Sequence, residues 1–387
     1  MAELGPVTPV SLTDPDAMLA LAAHEQVTLT IVGPELPLAA GVVDRFTEAG
    51  RPILGPTQAA ARLETSKVWA KQFMARHHVP TAEFQVCDSE ATAFEVIASE
   101  RFGWPLVIKA DGLAAGKGVV LADTAGQAVK VVDEMLSGSA FGDAGRRLVI
   151  ERCLKGPELS FFVLSDGIRA MPLGSAQDHK RALDGDKGPN TGGMGAFAPS
   201  PLCDAALQRR ILDEIVQPTL AGMRAEGTPY RGFLYCGLML TPEGPRVIEF
   251  NARLGDPEAQ VVLPLVNEPL LPLLDAAAAG SLPDRPVSSS AECQVGVVMA
   301  SGGYPGEFAT GKMIEGLDRA AAIEGVTIYH AGTAQQNGRV ISSGGRVLTV
   351  VGRGPDFRTA TARAYSGVSA IRFDGAYYRK DIGKKAG

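Results

Sequence analysis

The sequence predicts an α/β and α+β multidomain chain with three parts: a partial doubly wound parallel N-terminal domain, a larger central region, and a small β-rich C-terminal domain. Three observations carry that expectation. The apolar run "TLTIVGP" ends in Gly-Pro, the helical pattern "GVVDRFTEAG" follows, and "PILGP" is a second run stopped by Gly-Pro, which is βαβ punctuation. In the centre, "PLVIKADGLAAGKGVVLAD" reads strand, glycine-rich turn, strand, with too few residues between Lys109 and Lys117 for a crossover helix. After the proline-punctuated "SLPDRPVSSSAE", alternating strands from Cys293 onward read as a separate β-rich unit. The 387 residues and 45% hydrophobic content give room for such a division.

The remaining elements follow in order. "SKVWAKQFMARHHVP" is an amphipathic helix with Val68, Phe73 and Met74 on its apolar side, capped by Ser66 or Thr65 and stopped by Pro80. "RRLVIERCL" is a strand, and "ELSFFVLSDG" with "IRAMPLG" forms a hairpin. "DHKRALDGDKGPNTGGMGAF" has no periodicity and is expected to be a long polar loop, of the kind that carries function. A helix is expected from about Asp204 to Glu226, then the hairpin "FLYCGLMLTPEGPRVIEFN".

Composition excludes several classes. A net charge of -6 offers no global basic field for a polyanion, so nucleic acid is not an expected partner. The five cysteines are unpaired by spacing and the five histidines form no ligand cluster with them, as in a reducing cytoplasm. No apolar stretch approaches a membrane span, and "MAELGPVTPVSLTD" lacks the regions of a signal peptide, so a soluble cytoplasmic protein is expected. The 45 glycines and 26 prolines follow no fixed period and imply many tight loops.

The candidate chemistry lies on those loops. Gly112, Gly116 and Gly118 surround Lys117, where backbone N–H groups can close over phosphates; an ordinary hairpin tip is the alternative. Lys109 favours the phosphate reading, because an apolar strand rarely carries a lysine unless it meets an anion. In "VIEFNARLGDPEAQ", strand alternation puts Val247, Glu249 and Asn251 on one side and Ile248 and Phe250 on the other. Glu249 and Asn251 then offer two oxygens to a hard cation such as Mg²⁺, or line the wet face of an edge strand. Arg253 suits a phosphoryl group, or a salt bridge to Asp256 or Glu258 in the same turn. Asp178, His179, Lys180, Arg181, Asn190, Thr191, Gly192 and Gly193 suit a small polar substrate. Glu151 and Glu158 suit an adenine amino group and ribose hydroxyls, or are surface carboxylates near a turn. Tyr235, Cys236 and Met239 are most simply core, and Cys153 beside Arg152 reads as packing.

Taken together, "ADGLAAGKGV", "AQDHKR", "GPNTGGMGA" and "RLGDPEAQVV" resemble the glycinamide ribonucleotide synthetases, or phosphoribosylamine–glycine ligases, of the ATP-grasp superfamily. The resemblance runs from about Thr28 to Lys384 with the motifs in the family's order. It implies an N-terminal domain over residues 1–65, an ATP-grasp domain over 66–285 with a lid at about 85–155, and a C-terminal domain over 290–387. It implies that ATP converts glycine to an acyl phosphate, which the amine of 5-phosphoribosylamine displaces, in purine biosynthesis. Carried over by position, Lys67, Lys109 and Lys117 meet the nucleotide with Gly112, Gly116 and Gly118, and Glu151 and Glu158 meet base and ribose. Glu249 and Asn251 hold Mg²⁺ or Mn²⁺, Arg253 and Asp256 serve catalysis, and the 178–195 loop shapes the substrate pocket of a monomeric enzyme. Family members carry a strand and a loop like G-x-G-G-R-E-H-A before the counterpart of "TLTIVGP", and Met1 begins after them. Exposed apolar strand edges and impaired phosphoribosylamine binding are the expected consequences. Two other readings keep the same motifs: a carboxylase of the same pathway, with bicarbonate-dependent ATPase activity, and a non-catalytic ATP-binding relative, without glycine-dependent ADP release.

Overall fold

The structure, a computed structural model, describes residues 5–113, 118–137 and 147–386. Near the N-terminus the strands Thr30–Ile31 and Ile53–Leu54 pair in parallel, as the βαβ punctuation predicts, with helix Val42–Glu48 between them in sequence. Leu38, Val42 and Phe46 are buried beneath this pair. Ile31 is 42% exposed, and an apolar groove of about 380 Å³ runs between Leu12, Val27, Ile31 and Phe46.

The lid region is a four-stranded antiparallel sheet in the order Phe84–Cys87, Leu148–Arg152, Leu106–Ala110, Val119–Ala122. Helices Glu90–Ala98 and Ala125–Leu136, capped by Ser89 and Thr124, bury Ala93, Ile97, Ala128 and Val132 against Ile108 and Ile150. Because side chains alternate along a strand, Lys109 and Glu151 emerge on the opposite face, toward helix Lys67–Arg76. Ser66 caps that helix, its hydroxyl accepting from the Trp69 amide.

A nine-stranded sheet forms the centre. Its order is Gly244–Asn251, Arg231–Thr241, Glu158–Asp166, Ala170–Asp178, Gly195–Ala198, Cys293–Ser301, Arg346–Gly354, Val326–His330, with Ala376–Tyr377 also on Cys293–Ser301. One face packs Phe161, Leu234 and Cys236 against Ile215, Leu220 and Met223 of the expected helix, which runs through a π turn at Leu212–Val216. The other face packs Phe162, Leu164 and Tyr235 against Val261, Leu273 and Leu274.

The strands from Cys293 onward join the central sheet, because Gly195–Ala198 pairs with Cys293–Ser301 and one ladder crosses both regions. They do keep a core of their own around Val297, Val350 and Ala364, where Gly352 lets helix Phe357–Ala370 approach, since a Cβ there would sit 2.1 Å from the Ala360 carbonyl. Two expectations need correction. The "DHKR…GMGAF" stretch is not structureless: Arg181–Leu183 and Lys187–Asn190 pair antiparallel. That hairpin shows no hydrophobic alternation because ion pairs to the C-terminal segment hold it, Asp186 meeting the fully buried Arg379 at 3.0 Å while the Gly185 amide donates to Asp381 at 2.8 Å. Finally, Val247 does not share a face with Glu249. A bulge at Ile248 shifts the register, Gly237 opposing Glu249 and Leu238 opposing Val247, so Val247 joins Phe250 in the core.

Candidate functional site

The bulge that upsets the alternation builds the site. Beyond Ile248 the alternation resumes, so Glu249 and Asn251 stand on the face of the sheet that carries Tyr235 and Ser160. Asp178 ends the strand Ala170–Asp178 on the same face, two residues beyond the packed Ala176. Lys180 follows, its Nζ 3.0 Å from Glu158 Oε2 and 3.9 Å from Glu249 Oε1. Burial opposes ionisation of Glu249, but Lys180, Lys109, Lys67 and Arg253 together hold its carboxyl below the ordinary range. The surrounding acceptors assign the Asn251 amide orientation: with its nitrogen donating to Glu64 Oε1 and the Phe250 carbonyl, both at 3.2 Å, its oxygen turns the other way. A carboxylate and an amide oxygen on one face suit a hard cation that draws its other ligands from phosphates and water. Among the described residues no three His, Cys, Asp or Glu side chains form a metal cluster, so any ion there relies on that small set.

The lysines arrive from two sides. Lys67, in the first turn of its helix, donates to the Gly112 carbonyl at 2.9 Å, and burial lowers its pKa. Lys109 is 3% exposed, donates to the Ile248 carbonyl at 3.0 Å, and pairs closely with Glu151. Lys71, one turn beyond Lys67, pairs with the other Glu151 oxygen and donates to Thr81 at 2.7 Å; burial pulls its pKa down to about 8. Glu151 is therefore not a free acceptor for a base or ribose. It is the buried counter-ion of two lysines, which, against burial, hold its carboxyl below the ordinary range. Glu158 is the accessible acid, its side chain 52% exposed. Gly112 adopts φ 96°, the left-handed region, and Gly118 accepts from the Ala110 amide at 2.9 Å; Gly116 and Lys117 lie outside the described residues.

Asp178 is enclosed. Its Oδ1 has no hydrogen-bond partner among the described residues, and burial together with the neighbouring Glu258 raises its pKa well above the ordinary value. Glu258, raised by burial, accepts from Ser160 at 3.2 Å. Lys180 offsets this acid pair from one side. His179 does not join them. Alternation turns it to the core side, 1% exposed, with its ring 5.9 Å from that of Phe197 and its pKa lowered by burial to about 4. A substrate contact or general-base role for His179 is thus corrected to packing. Arg181 also turns away, donating to Gly188 of its own hairpin at 2.8 Å, and Asn190 is exposed at the end of that hairpin. Thr191 closes the loop back on Lys180, amide and hydroxyl donating to its carbonyl at 2.8 and 3.0 Å. Gly193 then passes so close that a Cβ would lie 2.4 Å from Pro257 and 2.9 Å from Asp178 Oδ1.

Arg253 does not bridge to Asp256 or Glu258. Its guanidinium binds Glu35 at 2.9 Å and Glu64 at 3.0 Å, tying the metal-type strand to the N-terminal region. Burial pushes Glu64 up to about 7, and its Oε2 accepts from the Ala252 amide at 2.7 Å. Asp256 accepts from Gln260 at 2.9 Å and from Arg346 at 2.7 Å. Sequence reasoning missed Lys71, Glu64 and Arg346. It also missed Asp111, which accepts from Ser66, Val68 and Arg147 and thereby ties the glycine-rich turn to the Lys67 helix. Asp111 alone was signalled, sitting inside "KADG"; the others lie in stretches without a motif. Burial raises the Cys153 thiol pKa, in keeping with packing.

The N, ATP-grasp (A) and C domains of phosphoribosylglycinamide synthetase match residues 1–64, 65–259 and 294–385. The phosphoribosylamine–glycine ligase of Pseudomonas aeruginosa is 50% identical over 94% of this chain and 84% of its own length. That of Xylella fastidiosa is 50% identical over 98% of this chain and 87% of its own. The crystal structure of the Thermotoga maritima phosphoribosylamine–glycine ligase superposes with a TM-score of 0.86 at 34% identity, covering 98% of this chain and 90% of that one. The biotin carboxylase domain of a Hydrogenobacter thermophilus 2-oxoglutarate carboxylase, solved with MgADP and bicarbonate, shares the fold at 17% identity and a TM-score of 0.73, over 96% of this chain and 81% of that one. The chain belongs to the phosphoribosylglycinamide synthetase family, the phosphoribosylamine–glycine ligases of purine biosynthesis.

Proposed function

We propose that the residues gathered around Glu249 carry out the family's ligation, glycine plus 5-phosphoribosylamine plus ATP giving glycinamide ribonucleotide, ADP and phosphate. An amine cannot expel oxide from a carboxylate, so a carboxylate oxygen of glycine first takes the terminal phosphoryl group of ATP. The amine nitrogen then forms the C–N bond and inorganic phosphate leaves. Lys67, Lys109 and Lys117, with the glycines Gly112, Gly116 and Gly118, neutralise and bind the nucleotide phosphates, and Glu158 meets the ribose. Glu249 and Asn251 would hold Mg²⁺ or Mn²⁺, which compensates phosphate charge when bound. Arg253 orders this strand and, by exchanging Glu35 for the transferring phosphoryl group, stabilises its charge. Asp178, Lys180, the Thr191–Gly193 turn and Asp256 shape the glycine pocket, where an enclosed, partnerless carboxyl oxygen suits an ammonium group.

The carrying observation is that Lys180, 3.9 Å from Glu249, and Lys109, bound to the adjacent Ile248 carbonyl, reach the strand bearing Glu249 and Asn251 from separate segments. Positioning and electrostatics then do the catalytic work. Glu249→Gln keeps the side chain's shape and is expected to lower glycine-dependent ADP release by about 10²–10³-fold. An effect within about threefold would remove Glu249 from the site. We place the enzyme in the cytoplasm, supported by five free cysteines, and take it to act as a monomer. Among the described residues no helix is long and apolar enough to cross a membrane.

A further inference from the structure

Arg346 opens the strand Arg346–Gly354 in the C-terminal region, far from every site motif in sequence. Its Nη1 donates to the Gly192 carbonyl at 2.6 Å, the Asp256 carbonyl at 2.6 Å and, more weakly, the Gly193 carbonyl at 3.5 Å; its Nη2 donates to Asp256 Oδ2 at 2.7 Å. One planar guanidinium therefore joins the two turns that flank Asp178. The turns meet tightly: a Cβ at Gly192 would lie 3.0 Å from the Arg346 guanidinium carbon. Tyr304, also from the C-terminal region, accepts from the Gly192 amide at 3.0 Å.

We propose that Arg346 is a positioning residue of the ligase, fixing Asp256 and the Gly192–Gly193 backbone in the arrangement that shapes the glycine pocket. The inference rests on the function proposed above. Both of its amino groups face protein acceptors, so it acts through Asp256 and the turn rather than by meeting glycine. Its side chain remains 21% exposed and lies outside the C-terminal apolar cluster, so its loss unties two turns without opening a core. A lysine offers a point charge on a flexible stem where the site uses a rigid planar fork.

The test measures steady-state ADP release by the full chain, with glycine and ATP varied separately, for wild type, Arg346→Met and Arg346→Lys, alongside melting temperatures. For Arg346→Met the expected result is a kcat/KM for glycine lower by about 10–100-fold, the scale of a 1 Å misplacement. The KM for ATP should stay within about twofold, because the phosphate-side lysines are untouched. Arg346→Lys should melt like wild type yet recover only part of the glycine term, which keeps the test decisive if the methionine variant folds poorly. Glycine parameters unchanged in both variants, or glycine and ATP parameters falling together in step with melting temperature, would overturn the assignment. A wild type with no glycine-dependent ADP release would instead fell the ligase reading, and this inference with it.

Discussion

Replacing Glu151 with glutamine removes one charge from a buried group of three while keeping its size. Lys71 and Lys109 would then face each other without a counter-ion, at side chains 3% and 4% exposed, where solvent screens little. Breaking a buried pair by deleting one partner destabilises by about 3–5 kcal/mol. Lys71 limits its share by releasing its proton: from a pKa of about 8, that costs about 1.4 kcal/mol at pH 7. The rest falls on Lys109. The sign with pH follows. Lys71 titrates lower in the folded protein than in the unfolded chain, so above pH 8 the unfolded chain binds more protons and stability rises with pH. Without Glu151 the folded pKa of Lys71 drops further, so the variant's deficit grows as pH falls below 8 and is smaller and level above it. Urea unfolding followed by tryptophan fluorescence reads this locally, since the chain's two tryptophans, Trp69 and Trp104, lie on the Lys71 helix and just before the Lys109 strand. A deficit below about 1 kcal/mol at pH 7, or an equal deficit at pH 7 and pH 9.5, would refute the description of Glu151 as a shared counter-ion.

Two further outcomes separate packing from chemistry. His179→Leu should leave the pH dependence of kcat between pH 5 and 7 unchanged and lower stability by no more than about 1.5 kcal/mol, because the ring is neutral and packed on Phe197; a lost ionisation in that range would restore a catalytic role. Gly193→Ala combines φ 109° with a Cβ 2.4 Å from Pro257, so it should cut kcat/KM for glycine at least about tenfold while the KM for ATP holds; equal losses for both substrates would show that the turn serves the fold alone.

Much of the fold was legible because its signals are local. Gly-Pro stops marked the parallel pair, and Ser66 marked a helix start that the structure reproduces with Ser66 as its cap. The glycine-rich segment was read as a hairpin from its spacing, and Leu106–Ala110 and Val119–Ala122 pair antiparallel as expected. The polar hairpin at Arg181–Asn190 was not legible, because its partners lie about 200 residues away at Arg379 and Asp381. The bulge at Ile248 escaped for a related reason: a strand's alternation can be read from its own residues, whereas an extra residue shows only against the partner strand. Glu249, Asn251 and Lys180 were singled out because alternation and motif order act over short range. Glu151 was identified as important and given the wrong task, since its two lysines come from a helix and a strand that only the folded chain brings together. Arg346 had no signal at all, being one arginine in an ordinary strand whose acceptors lie 90 and 154 residues earlier.

The central claim is that this chain couples ATP cleavage to the joining of glycine and 5-phosphoribosylamine. Its most direct test is ADP formation by the purified 387-residue chain with each substrate omitted in turn. The account predicts ADP release that requires glycine and freshly prepared phosphoribosylamine together, matched one for one by glycinamide ribonucleotide, and lost in Glu249→Gln. ADP release that ignores glycine, or that follows bicarbonate instead, would contradict it.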